Sequence, residues 1–138
     1  MGTVKQATIK NTRQLLEANK ESTTVTTLGE ILAITGGYAV AADSGTVVAD
    51  LLGVCNETIA AADAKTRVSY IVPSDEDTFI FSTTNNTQAT DNGQAMVIGA
   101  NSTTINNTHT TSATGIVEQV EPYGAASDKL IIGKFLTK

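Results

Sequence analysis

"TLGEILAITGGYAVA", residues 27–41, decides how the rest of the chain is read. Its β-branched and apolar residues lose rotamer freedom in a helix and suit a pleated surface, which predicts a strand at about Thr27–Ile34. Gly36-Gly37 accepts positive φ at both positions, and Tyr38–Ala41 resumes the alternation, so the stretch reads as a β-hairpin. Asp43-Ser44-Gly45 then turns the chain again.

Working outward toward the C-terminus, "TVVADLLGV" (46–54) fits two readings. It forms one or two helical turns capped by Ser44 or Thr46 and stopped at Gly53, or a strand pair broken at Asp50. A strand follows at Val54-Cys55, then a connection through Ala60–Ala64, then a strand at Thr66–Val72 ended by Pro73, which has no N–H for a ladder. "DTFIFSTT" (77–84) puts Phe79 and Phe81 on one face and Ile80 on the other. Asp91-Asn92-Gly93 is a turn signal, "AMVIGA" (95–100) a short apolar strand, and the closing stretch 114–138 holds two strand-like runs either side of Pro122–Asp128.

Toward the N-terminus the pattern is looser. Val4, Ala7 and Ile9 space apolar residues along an extended segment, and "TRQLLEANK" (12–20) is compatible with a short helix. Residues 1–26 therefore read as an extended arm, and residues 27–138 as a single domain. Its fold class is mainly β: a small barrel or sandwich with short helical turns.

The chain has 138 residues, 41% of them apolar and 17% charged, which predicts a folded core rather than disorder. A formal charge of −5 and the lack of any basic block exclude a nucleic-acid partner, since phosphate binding needs a Lys/Arg surface that releases counterions. No run approaches the ~18 apolar residues of a membrane span. The first 20 residues lack an apolar signal core, so synthesis and assembly are expected in the cytoplasm. Cys55, the single cysteine, sits in "LLGVCNE" and reads as a small buried side chain.

No pattern carries catalysis. His109 is the only histidine and stands between two threonines, without partners for a triad or a zinc site. Asp75, Glu76 and Asp77 lack the alternate spacing of a calcium loop and read as a solvated turn whose Asp side chains bond nearby N–H groups. None of the 11 glycines forms a phosphate cradle. Four Asn-x-Ser/Thr sites, at Asn56, Asn85, Asn101 and Asn106, reflect only the abundance of Asn and Thr. The chain is read as a non-enzyme with no catalytic, cofactor-binding or metal-ligating residue.

"NSTTINNTHTTSATG" (101–115) would be polar on both faces as a strand, apart from Ile105. Such a strand has a weakly specified register, which predicts a long loop or edge ribbon ordered by a neighbouring subunit or by a shell on which the protein sits. A second function class, a carbohydrate-binding or adhesive β domain on a virion or cell surface, would use the loops Asn85–Asp91 and Asn101–Thr111. Neither loop holds the aromatic platform that sugar sites favour.

The order from Thr27 to Thr83 resembles the small capsid decoration, or cement, proteins of tailed bacteriophages. The resemblance lies in the strand ending in Gly-Gly, the Ala-rich hairpin, the strand start at Gly53-Val54, "TIAAAD" at Thr58–Asp63 and the Phe-containing strand. "GIVEQVEPYGAASDKLIIGKFL", Gly115–Leu136, is similar in style to their closing hairpin. The resemblance implies a β-tulip-like fold, a homotrimer, and a structural role on the outer surface of the virion, where the partner is the major capsid protein. It implies no catalytic residues. An arm that orders on the shell would place Val4, Ala7 and Ile9 at the capsid or subunit contact, with Ile105 as a further contact.

Overall fold

The computed structural model of the protein describes residues 5–8, 14–74, 77–108 and 115–136. Gly36 (φ 58°) and Gly37 (φ 86°) are both left-handed, as a two-residue hairpin turn between right-twisted strands requires. They join β3 (Ile31–Thr35) to β4 (Tyr38–Ala41), with Thr35 opposite Tyr38 and Leu32 opposite Ala41. The other strands are β1 (Lys5–Thr8), β2 (Gln14–Asn19), β5 (Leu51–Cys55), β6 (Arg67–Val72), β7 (Thr78–Thr83), β8 (Ala95–Ile98), β9 (Thr104–Asn106), β10 (Val117–Pro122) and β11 (Leu130–Phe135). Helical structure among the described residues consists of 3-10 turns at Val48–Asp50, Ala61–Asp63, Ala89–Asp91 and Ala126–Asp128.

Two sheets result. In the first, the order is β7-β11-β10-β8-β9, and β9 returns to β7 in parallel through Ser82↔Thr104 and Thr83↔Ile105, closing a five-stranded barrel. β1 lies against the other half of the same β7 edge, with Lys5 opposite Ile80. The second sheet is antiparallel in the order β2-β6-β5-β3-β4. The fold class read from the sequence is the one observed: mainly β, barrel-like, with short helical turns.

The barrel is filled by the alternation that the Phe-containing strand announced. Phe79, Phe81 and Phe135 are buried and meet edge to face, with Phe135 centroids 5.2 and 5.4 Å from the other two. Such tilted contacts satisfy the ring quadrupoles and add to area burial. Ile31, Ala33, Val54 and Ile71 bring one face of the second sheet onto this core. Its other face carries Leu32, Cys55, Val68 and Tyr70 into a second, smaller core plugged by Ile59. Cys55 is buried there, its Sγ donating to the Glu57 carbonyl at 3.0 Å, and burial pushes its thiol pKa up.

Three local expectations change. "TVVADLLGV" is a single 3-10 turn followed at once by β5, and Gly53 lies inside that strand rather than ending a helix. Leu32 pairs with Gly53 and Ala33 with Leu51, so Leu52 is an extra residue in a β-bulge. The helix-compatible 12–20 segment forms β2 instead, because six successive residues from Gln14 to Asn19 find partners on β6, from Val72 to Arg67. Finally, the expected boundary after residue 26 separates nothing among the described residues. β1 and β2 are edge strands of the two sheets, and Thr26 bridges to Ile59.

Candidate functional site

The residues expected to carry contacts fall in different places. Val4 and Ile9 lie outside the described residues, as do His109, Asp75 and Glu76. Ala7 is in β1. Ile105 is a correction: its side chain is fully enclosed in the barrel core and offers no surface to a partner. The Thr104–Asn106 stretch is the strand that closes the barrel, not an edge ribbon, because one apolar residue pointing inward is enough to fix its register.

The Asn/Thr-rich loops are stitched to each other. Asn107 is buried; its Nδ2 donates to the Asn85 and Asn86 carbonyls at 3.0 and 3.2 Å, and its Oδ1 accepts from the Asn85 N–H at 2.9 Å. The Asn101 Oδ1 accepts from the Thr103 N–H and from the Thr103 and Thr104 hydroxyls. These amides stand in for backbone partners that an irregular loop would otherwise lack. Asp77 is buried rather than solvated, although its Oδ2 does accept from the Ser74 N–H at 3.0 Å as a turn residue should. Among the described residues no three His, Cys, Asp or Glu gather as a metal set.

The surface features that remain cluster on the second sheet. β2 is its edge strand, and Leu15 and Leu16 are 47% and 45% exposed on it. Leu16 borders an apolar cavity of ≈320 Å³ with Val48, Leu51, Leu52, Val72 and Leu136; Tyr70 supplies the one hydroxyl in the lining. The bulge creates this hollow: it turns Leu51 toward the main core and Leu52 toward the smaller one, so the lining draws from both.

At the opposite end of β2 is a polar cavity of ≈530 Å³. It lies where β2 and β4, the two edges of the sheet, approach each other without pairing. Asn19 is the last residue of β2 and Tyr38 the first of β4, Thr66 precedes and Arg67 opens β6, and Lys20, Glu21, Ser22 and Thr23 come from the segment that follows β2. Lys20 extends the ladder, its N–H donating to the Thr66 carbonyl at 2.9 Å. Its side chain is only 1% exposed, and Nζ donates to the Glu21 carbonyl at 2.8 Å. Arg67 is held by its cross-strand neighbour: Nη1 donates to the Asn19 Oδ1 at 2.8 Å, and Nε reaches the Glu17 Oε1 at 3.4 Å.

Neither cavity was found from the sequence. Each is assembled from three or more separated segments, and the only local hint, an alternation of Leu16, Ala18 and Lys20, was masked by the helix-compatible composition around it. Neither a family model nor a curated protein matches the chain.

Proposed function

We propose that this chain is a structural virion protein that binds the outer surface of an assembled phage head and stabilises contacts between major capsid subunits, acting as a homotrimer. The observation that carries the reading is the β2 edge. It has exposed leucines on both faces and continues into an apolar cavity, on a strand whose outer hydrogen-bonding edge has no ladder partner among the described residues. Soluble β proteins usually blunt such an edge with charge, proline or a covering loop. An uncovered edge is suited to strand addition by a partner segment, with backbone bonds supplying affinity and the leucine-lined hollow supplying register. The resemblance of residues 27–83 and 115–136 to decoration proteins supports the same role. The acidic balance suits a surface that must stay soluble while many copies crowd one shell.

The reading is tested with DNA-filled heads that lack the protein. Adding the chain should raise the temperature at which the heads release DNA, and the double variant Leu15→Asp, Leu16→Asp should lose most of that protection while keeping its own circular dichroism and melting temperature. Protection by the double variant equal to that of the parent chain would remove the β2 edge from the mechanism.

A further inference from the structure

We infer that the β2 edge takes an extended segment of a different polypeptide, antiparallel to β2 and carrying an aromatic side chain opposite Leu16. The inference deepens the role on the shell and rests on that reading's use of the β2 edge.

Its basis is an internal repeat written in the ladders. The five strands from β2 to β6 and the five from β7 to β11 are arranged alike, as β2-β6-β5-β3-β4 in one sheet and β7-β11-β10-β8-β9 in the other. The registers coincide as well. Ile31 faces Val54 and Leu32 faces Gly53, as Ala95 faces Glu118 and Met96 faces Val117. The Gly29 N–H donates to the Cys55 carbonyl at 2.9 Å, and the Gly93 N–H to the Gln119 carbonyl at 2.8 Å. Asn19 stands opposite Arg67 and Ser82 opposite Leu130. The next residue of each strand then closes the same bond, Lys20 N–H to the Thr66 carbonyl and Thr83 N–H to the Lys129 carbonyl, both at 2.9 Å. The chain is one five-stranded unit built twice.

Aligned on those bonds, Leu15, Leu16 and Glu17 take the places of Thr78, Phe79 and Ile80. In the second unit this part of the edge is covered: β1 runs antiparallel along it, with Gln6 opposite Phe79 and Lys5 opposite Ile80. In the first unit no strand among the described residues covers it. One chain has a single β1 for two equivalent edges, so another copy could lend its β1 to β2 only by baring its own β7. The missing strand therefore belongs to a different polypeptide, and strand addition supplies its backbone bonds.

The hollow specifies a side chain. Residues opposite each other across a ladder point to the same face, so the partner residue opposite Leu16 points with it toward the apolar cavity that Leu16 borders. Where the second unit has Phe79, Phe81, Phe135 and Gly133, the first has Leu16, Ala18, Val72 and Tyr70, one ring in place of three. Leu16, Val72 and Tyr70 all line the cavity of ≈320 Å³. An apolar cavity of about 150 Å³ already accepts a benzene ring, so a ring enters here and can meet Tyr70 edge to face. Glu17 is the one charge on β2 and its side chain is 59% exposed, which favours a basic residue opposite it.

The test is a nuclear magnetic resonance titration of the full chain with two capped peptides of residues 3–9, TVKQATI, one carrying Gln6→Phe and the other Gln6→Asp. The β1 register puts this residue at the place opposite Leu16. The Gln6→Phe peptide should give saturable shifts at the amides of residues 14–17, 51–52 and 70–72, and the Gln6→Asp peptide should bind more weakly by about tenfold or more. Leu16→Phe in the chain, at a half-exposed position, should keep the circular dichroism of the parent and reduce the Gln6→Phe peptide to the level of the Gln6→Asp one. Equal binding of the two peptides, shifts confined to residues 78–80, or no site-confined shift would each overturn the inference. Self-association that rises with concentration and is abolished by Leu16→Asp would give the edge to a second copy and overturn it too. The shell role is separated by the phage heads: peptide binding at β2 with heads that gain no protection supports the inference and sinks that role. Protected heads with no peptide bound at β2 overturn the inference and leave that role standing.

Discussion

At the scale of single residues, Gly53 is the position with the least freedom. Its φ of 155° suits glycine, and a Cβ there would run into the Ile71 carbonyl oxygen on the neighbouring strand and come within 3.1 Å of the Pro73 ring. Backbone cannot yield as a flexible side chain can, so Gly53→Ala is expected to destabilise the protein by about 3 kcal/mol or more, read as a lowered urea midpoint. Glu57 is the residue that ties stability to pH. Its Oε1 accepts from the Lys65 Nζ at 2.7 Å and its Oε2 from the Ser69 N–H at 2.8 Å, and these two bonds hold its carboxyl below the usual carboxylate range. A carboxylate with a depressed folded pKa contributes stability that is fully present above its unfolded pKa and is lost as pH falls through the folded one. Acid titration of the melting temperature should therefore show a steeper fall for the parent chain than for Glu57→Gln. At neutral pH that variant loses about 1 kcal/mol, with most of the cost in the Ser69 bond because the Lys65 pair is exposed. Neither role is visible in the sequence: the close approach at Gly53 exists only because β6 flanks β5, and Ser69 lies 12 residues from Glu57.

At the scale of elements, β9 is three residues long and yet closes the barrel, with Ile105 its buried member. Ile105→Ala is expected to cost about 2–5 kcal/mol, as for other buried Ile truncations, whereas Val120→Ala, at an exposed position of β10, should stay within about 0.5 kcal/mol. Amide exchange at Thr84 and Gly99 should accelerate selectively in Ile105→Ala, since their N–H groups donate to the Ile105 and Thr104 carbonyls of β9; protection unchanged there would mean the barrel does not depend on this strand. The contrast with the β3–β4 hairpin explains what could be read from sequence. That hairpin pairs residues a few positions apart, and its Gly-Gly turn chemistry is written locally. Phe79 and Phe81 likewise announce their face by alternation. β9 and β2 carry no such signal: Ser82 meets Thr104 and Leu15 meets Ile71, so tertiary partners decide that a polar run and a helix-compatible run become strands.

At the scale of the whole molecule, the two sheets share one apolar core, and the N-terminal segment supplies an edge strand to each. Fold class was legible because strand alternation and turn residues recur along the chain. The surface at issue was not, because the leucines of β2, the bulge-shaped hollow and the polar cavity are brought together from distant segments. The proposed role asks this architecture to present the β2 edge repeatedly to a symmetric shell, and a symmetric shell fixes the number of copies it can hold. The direct measurement is therefore quantitative: purified chain is titrated onto expanded heads that lack it, and bound copies per head are counted by sedimentation and mass. The account predicts saturation at a copy number that is a whole multiple of the shell's symmetry-related sites, in units of three. Absence of saturable binding, or uptake that rises with concentration without a symmetry-related plateau, would contradict it.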